Sequence, residues 1–254
     1  MREQQKDRRW VLGLGLGLGA AVTAGCGSSG PPEPSTPPGT TAAAPTTAAS
    51  VAPAAGPATQ FVRAESGRPE VALTFHGAGD LAITRQVLDV LAQHGAEATV
   101  LAVGTWLASA PDGIRMVRDG GHEIGNHTWS HGDLARMRAD PMLTEIERCR
   151  DELDRLVGAP GTFFRQSQGQ YATRTELDEA GKAGYSRVLS YDVDSLDWTD
   201  PGADRIRRAV RAARAGSIVS MHLGHAGTVA ALPGVLADLR DRGLTPVTAS
   251  QLLA

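Results

Sequence analysis

The chain has 254 residues, 41% of them hydrophobic, and 25 Lys and Arg against 28 Asp and Glu give a formal net charge of -3. That is enough apolar material for one large domain or two small ones, but it supplies no basic stripe to release counterions, which argues against nucleic acid as a partner. Two cysteines, Cys26 and Cys149, are too few for a disulfide framework or a cysteine-built zinc site, so any metal must use histidines and carboxylates.

Residues 1–26 begin with Arg2, Lys6, Arg8 and Arg9 and continue into an apolar, glycine-interrupted run over 11–25. A spanning helix takes about 20 apolar residues, so this run is too short and too glycine-rich for a permanent anchor and is expected to be an export signal. Thr23-Ala24-Gly25-Cys26 resembles the end of a bacterial lipoprotein signal, whose cleavage leaves Cys26 carrying lipid. Arg8-Arg9-Trp10-Val11-Leu12 also resembles a twin-arginine signal. Thr23 stands where a lipoprotein signal more often has Leu, and a plain secretory signal is the alternative. Residues 27–59 are almost wholly Pro, Thr, Ala, Ser and Gly, with Glu33 as the one charge. Such a segment cannot offset its ordering entropy by burial and is expected to be a disordered tether. The organisation predicted is signal, tether and a folded body over 60–254, outside the cytoplasm and held to the membrane by the Cys26 lipid alone, or secreted if Cys26 is not lipidated.

In the body, short β-prone runs alternate with helical stretches. Strands are expected at 71–75, 98–103, 162–165, 187–191, 217–222 and 245–247, and helices at 83–93, 141–157, 174–183, 203–215 and 229–242. In the 141–157 helix, Met142, Ile146, Cys149, Leu153 and Leu156 share one stripe, so Cys149 is read as a small core residue and not as a reactive thiol. Alternating strand and helix units imply parallel strands, in a barrel or an open doubly wound sheet; both bind ligands at the C-terminal strand ends.

Polar residues gather just there: His76 and Asp80 after the first strand, His127 and His131 in the third unit, Arg165, then Asp192, Asp194, Asp197 and Trp198, and finally His222. His127 and His131, four apart, can face one side of a helical turn and chelate one ion. An HxxxH pair alone is a weak signal; the carboxylates and the strand-end placement make it a candidate site.

His127-Thr128-Trp129-Ser130-His131 resembles the HTxxH motif of the polysaccharide deacetylase family, or NodB homology domain. The likeness runs over most of residues 70–253. Val71-Ala72-Leu73-Thr74-Phe75 resembles the family's first motif strand, Gly121-His122-Glu123-Ile124-Gly125-Asn126 its approach to the histidines, Asp194-Ser195-Leu196-Asp197-Trp198 its DxxDW motif, and Gly216 to His222 its catalytic-histidine strand. The resemblance implies an α/β fold, a distorted and incomplete (β/α) barrel, and metal-dependent removal of N- or O-acetyl groups from glycans. It implies His127 and His131 as metal ligands, His222 as the acid that protonates the leaving amine, Asp197 as its orienting partner, and Trp198 as an apolar wall for the acetyl methyl group.

The departures carry information too. The family's first motif supplies a base aspartate and then a metal-ligand aspartate, where this chain has His76 and Gly77. Arg165 matches the family's arginine, which braces that base, but Gln166-Ser167-Gln168-Gly169 replaces the proline-containing turn. Two readings stay open. In the preferred one, Asp80 reaches back through Gly77-Ala78-Gly79 as the third ligand, and His76, or Asp80, is the base, with Arg165 holding His76 neutral by like-charge repulsion. In the other, hydrolysis is lost and the domain only holds a sugar. Arg165, Asp194 and Trp198 are the expected substrate contacts, although Asp192 and Asp194 also fit solvated loop charges, and Trp129 fits either sugar stacking or half-buried support. The ion expected is zinc, with cobalt or nickel also suited to such donors. The tethered position points to an envelope polysaccharide, acted on by a monomer; a non-hydrolytic glycan-binding lipoprotein and a metallohydrolase for another amide are the alternatives.

Overall fold

A computed structural model describes residues 56–254; the expected signal, Cys26 and the tether as far as residue 55 lie outside the described residues. The elements are β1 (Thr59–Phe61), β2 (Glu70–Gly77), α1 (Leu81–Gln93), β3 (Thr99–Ala102), α2 (Gly104–Ser109), α3 (Pro111–Asp119), β4 (Glu123–Asn126), α4 (Ala139–Val157), α5 (Arg174–Lys182), β5 (Arg187–Leu189), β6 (Val193–Asp194), α6 (Ala203–Val210), β7 (Ile218–His222), α7 (Ala226–Asp241), β8 (Thr245–Val247) and α8 (Ala249–Leu252). The packing extends slightly before the expected body, since Ala58 is buried and its N–H donates to the Leu177 carbonyl.

Every strand ladder is parallel. The main sheet runs β4-β3-β2-β7-β6, with β8 also pairing β2, and β1 pairs β5 apart from it. Phe164 joins the two through single bridges to Asn126 and Val188. The result is an incomplete (β/α) barrel. Residues 162–165, expected as a strand, form no regular strand: the Thr162 and Arg165 N–H groups donate to the Ile124 and Asn126 carbonyls, but only Phe164 bridges. The central strand β2 is buried on both faces from Val71 to Phe75, the continuous apolar run that a parallel strand between helical layers requires. α4 lays down its predicted stripe, with Met142, Ile146, Cys149, Leu153 and Leu156 all buried, and ends at Gly158 with φ +76°, a left-handed cap that costs glycine little. Cys149 Sγ lies 3.3 Å from the Ala102 carbonyl, and burial pushes its thiol pKa far up; it is a core residue.

Candidate active site

Strand register assembles the site. His76 lies opposite His222 across the β2–β7 ladder, Gly77 lies opposite Ala102 across β2–β3, and Ala102 opposite Asn126 across β3–β4. His127, the residue after β4, donates its backbone N–H to the Ala102 carbonyl. Histidines from three strand ends thus meet at the C-terminal edge of the sheet. Ring centroids separate His76 from His127 by 4.2 Å, His76 from His222 by 4.3 Å and His127 from His131 by 4.8 Å.

The segment from His127 to His131 is an irregular loop and not the helical turn expected, with Thr128 at φ 68° and His131 at φ 58°. Two left-handed residues bend it so that His131 Nε2 comes within 3.1 Å of His127 Nε2. Non-glycine residues hold such angles only when their surroundings over-determine them, and here they do. Asn126 Oδ1 accepts from the Thr128 N–H at 2.8 Å, and Thr128 Oγ1 accepts from the His131 N–H at 3.2 Å. Ser167 donates to the Gly132 carbonyl, and Gln168 Nε2 donates to the His131 carbonyl at 3.1 Å. The segment that departs from the family pattern therefore braces the histidine loop. Asn126, Ser167 and Gln168 are positioning residues, a role that their place in the sequence motifs did not reveal.

His127 Nδ1–H donates to the Arg165 carbonyl at 3.0 Å, which leaves the Nε2 lone pair free to bind an ion. Donor atoms of His76, His127 and His131 all lie within 4.8 Å of one another, and His76 Nδ1 is buried without a hydrogen-bond partner. These residues fit a divalent ion. Burial, and then the neighbouring imidazoles, holds His76 and His127 well below the usual histidine pKa, and burial followed by His222 lowers His131. The rings are accordingly neutral, the form that coordinates metal. For His76, Arg165 contributes to this lowering after burial, His127 and His222, so the expected neutralising role of Arg165 is real but secondary.

His222 Nδ1–H donates to Asp197 Oδ1 at 2.7 Å, while Asp197 Oδ2 accepts from the His222 backbone N–H at 2.8 Å and from Thr228 Oγ1 at 2.6 Å. Burial pushes the Asp197 carboxyl up, but these bonds outweigh it and hold the pKa below the usual carboxylate value. The dyad fixes one tautomer, with Nε2 as the working nitrogen of His222. A cavity of about 460 Å³ opens over it, lined by His76, His131, His222 and Ser220, by Gln166, Gln168 and Gln170, and by Tyr191, Asp194 and Trp198.

Asp80 is not in this group, contrary to expectation. Its Oδ1 caps α1, accepting from the N–H groups of Ala82 at 2.7 Å and Ile83 at 3.4 Å, and the residue is exposed. The approach is not a flexible loop: β2 continues to Gly77, and the Gly79 carbonyl accepts from Trp106 Nε1 at 3.0 Å. Arg165 also differs from its expected place as a substrate contact. It is fully buried, with Nε donating to the Leu189 carbonyl at 2.5 Å and Nη2 to Thr74 Oγ1 at 2.9 Å, and burial lowers its pKa to about 9. It braces the sheet behind the histidines. Trp129 packs away from the cavity under the Arg148 guanidinium, 3.7 Å from ring centroid to Cζ, and Asp192 is consumed by Ser217 and the Ile218 N–H. Asp194 and Trp198 do line the cavity.

The polysaccharide deacetylase family profile matches residues 63–188. The chain is 35% identical over 188 residues to a peptidoglycan-N-acetylglucosamine deacetylase of Bacillus cereus, covering 72% of this chain and 87% of that one. It is 38% identical over 167 residues to a chitooligosaccharide deacetylase of Bradyrhizobium sp., covering 63% and 73%. Among solved structures, the Bc1960 peptidoglycan N-acetylglucosamine deacetylase superposes with a TM-score of 0.71 at 30% identity over 76% of this chain and 92% of that chain. BA3943 from Bacillus anthracis, described as a CE4 family pseudoenzyme, shares the fold with a TM-score of 0.72 at 22% identity over 77% of this chain and 69% of that chain.

Proposed function

We propose that this chain, which belongs to the polysaccharide deacetylase family, hydrolyses the acetamide groups of an N-acetylated cell-envelope polysaccharide with the help of a divalent metal, zinc first and cobalt or nickel as substitutes. The observation that carries this reading is the meeting of the braced His127 and His131 pair with the Asp197–His222 dyad across one open cavity. The relatives' named substrates, peptidoglycan N-acetylglucosamine and chitooligosaccharide, support an N-acetylated glycan as substrate.

His127 and His131 would hold a divalent ion, which would supply polarisation of the acetamide carbonyl and acidification of a water. The chain's own groups do the rest. Asp197 keeps His222 Nδ1 protonated, so the Nε2 lone pair faces the cavity, takes a proton from the attacking water and passes it to the departing amine. Trp198 and Tyr191 offer apolar faces to the sugar and the acetyl methyl group, and the Asp194 carboxylate offers an acceptor for hydroxyls. On the export signal read from the sequence, the protein sits outside the cytoplasm as a monomer, attached through lipid on Cys26.

The deciding experiment measures acetate released from N-acetylglucosamine oligomers and from peptidoglycan, with and without chelator. Release that chelator and His222→Ala both abolish is the expected outcome. Release from O-acetylated xylan alone would move the reaction to esters. Oligosaccharide binding without release from any substrate would leave the glycan-holding alternative, which the absence of a carboxylate at residues 76 and 77 favours.

A further inference from the structure

Positions 76 and 77 close the central strand, and the aspartate pair that the family resemblance leads one to expect there is absent. The question is what completes the ion's coordination. Gly77 offers no donor and no room, since a Cβ there would lie 2.9 Å from Val100 Cγ1 and 3.0 Å from the Ala102 Cα. Asp80 is committed to the N-terminus of α1. Its approach is held as well, because a Cβ on Gly79 would fall 2.4 Å from the Gly224 Cα, so the backbones touch there.

His76 meets the requirement. One of its nitrogens stands within 4.8 Å of the donor atoms of both His127 and His131. Ser220 Oγ reaches Nε2 at 3.3 Å, while Nδ1 is buried with no partner. A neutral imidazole has one donor and one acceptor nitrogen, so the protein claims at most one side of the ring and leaves the other without a partner.

We propose that His76 is the third metal ligand and not the catalytic base, so that the ion is held by three imidazoles and no carboxylate. The inference rests on the metal-dependent reading above. An all-nitrogen donor set favours zinc, cobalt or nickel over magnesium or calcium. With His76 on the ion, proton transfer at the cavity wall falls to His222.

Zinc affinity measured by competition with a chromophoric chelator, and imidazole ligands counted by X-ray absorption at the zinc edge, test this without any turnover. The wild-type chain is expected to show three imidazoles. His76→Ala is expected to show two and to bind zinc at least about 10-fold more weakly, while Asp80→Asn keeps the wild-type count and affinity. If His76→Ala fails to fold, as judged by circular dichroism, the wild-type count decides alone: two imidazoles with a carboxylate overturn the proposal. So does a His76→Ala chain that binds zinc as the wild type does. A wild-type chain with three imidazoles but no acetate release keeps this inference and removes the hydrolytic reading; one that binds no zinc removes both.

Discussion

Filling the space at Gly77 tests whether the ligand aspartate expected from the family could be put back. Gly77 lies opposite Ala102 in the ladder, and a Cβ would stand 2.9 Å from Val100 Cγ1, 3.0 Å from the Ala102 Cα and 3.3 Å from the Leu101 carbonyl. Two of those three atoms are backbone, so a change of side-chain rotamer cannot relieve them and β3 must move. Overpacking of this kind costs about 1–3 kcal/mol, which for a body of this size lowers the Tm of Gly77→Ala by roughly 2–12 °C. Gly77→Asp adds a carboxylate to a buried position, a further cost of about 1–3 kcal/mol if it finds no partner. Val100→Ala removes the side-chain part of the clash only, so a double-mutant cycle with Gly77→Ala is expected to recover part of the loss, with a coupling of about 0.5 kcal/mol or more. Urea unfolding of the four chains reads this directly. A Gly77→Ala chain within about 0.5 kcal/mol of wild type would refute the close approach of β2 and β3, and Gly77→Asp would then be a route to a carboxylate ligand.

Asp197→Asn keeps the shape of the buried side chain but loses the charge that holds His222 Nδ1–H and puts an amide nitrogen among donors; turnover is expected to fall about 10²- to 10⁴-fold with KM little changed, and an unaltered kcat would show that the dyad is structural. Half-buried His76 and buried His127 are held neutral, with pKa values well below the usual histidine value, whereas in the unfolded chain they regain a pKa of about 6.5. Below that pH the unfolded state therefore binds protons the folded state refuses, and the stability of the metal-free chain falls by up to about 1.4 kcal/mol per pH unit for each fully shifted ring; a flat urea profile between about pH 7.5 and 5 would contradict this. Cys149, fully buried with its thiol pKa raised, is expected to resist a thiol reagent until the protein unfolds, and labelling at the native rate of an exposed thiol would place it wrongly. Trp198 is 53% exposed at the cavity mouth, so Trp198→Ala should raise KM for oligosaccharide while changing stability by less than about 0.5 kcal/mol. A loss of stability with unchanged KM would make it a packing residue.

Much of the fold could be read from patterning alone. The buried run of β2 and the stripe of α4 follow from how a segment divides its side chains between core and solvent, a local property with a period set by the backbone. The grouping of His127 with His131, and of Asp197 with Trp198, was likewise visible as short motifs. Tertiary structure decided the rest. α2 and α3 are short and lie between stronger patterns, and residues 162–165 have strand composition but only Phe164 finds ladder partners, through single bridges. Asp80 was close enough in sequence to serve the site, yet the nearby N–H groups at the start of α1 take its carboxylate first. Arg165 carries a charge that ordinarily keeps a side chain at the surface, and only the folded chain brings Thr74, Leu189 and Ser190 around its guanidinium. His76 and His222 are 146 residues apart in the numbering but opposite each other in register. No periodicity encodes that pairing, because it depends on which strands share a ladder and at what offset, and on the sheet packing that selects both.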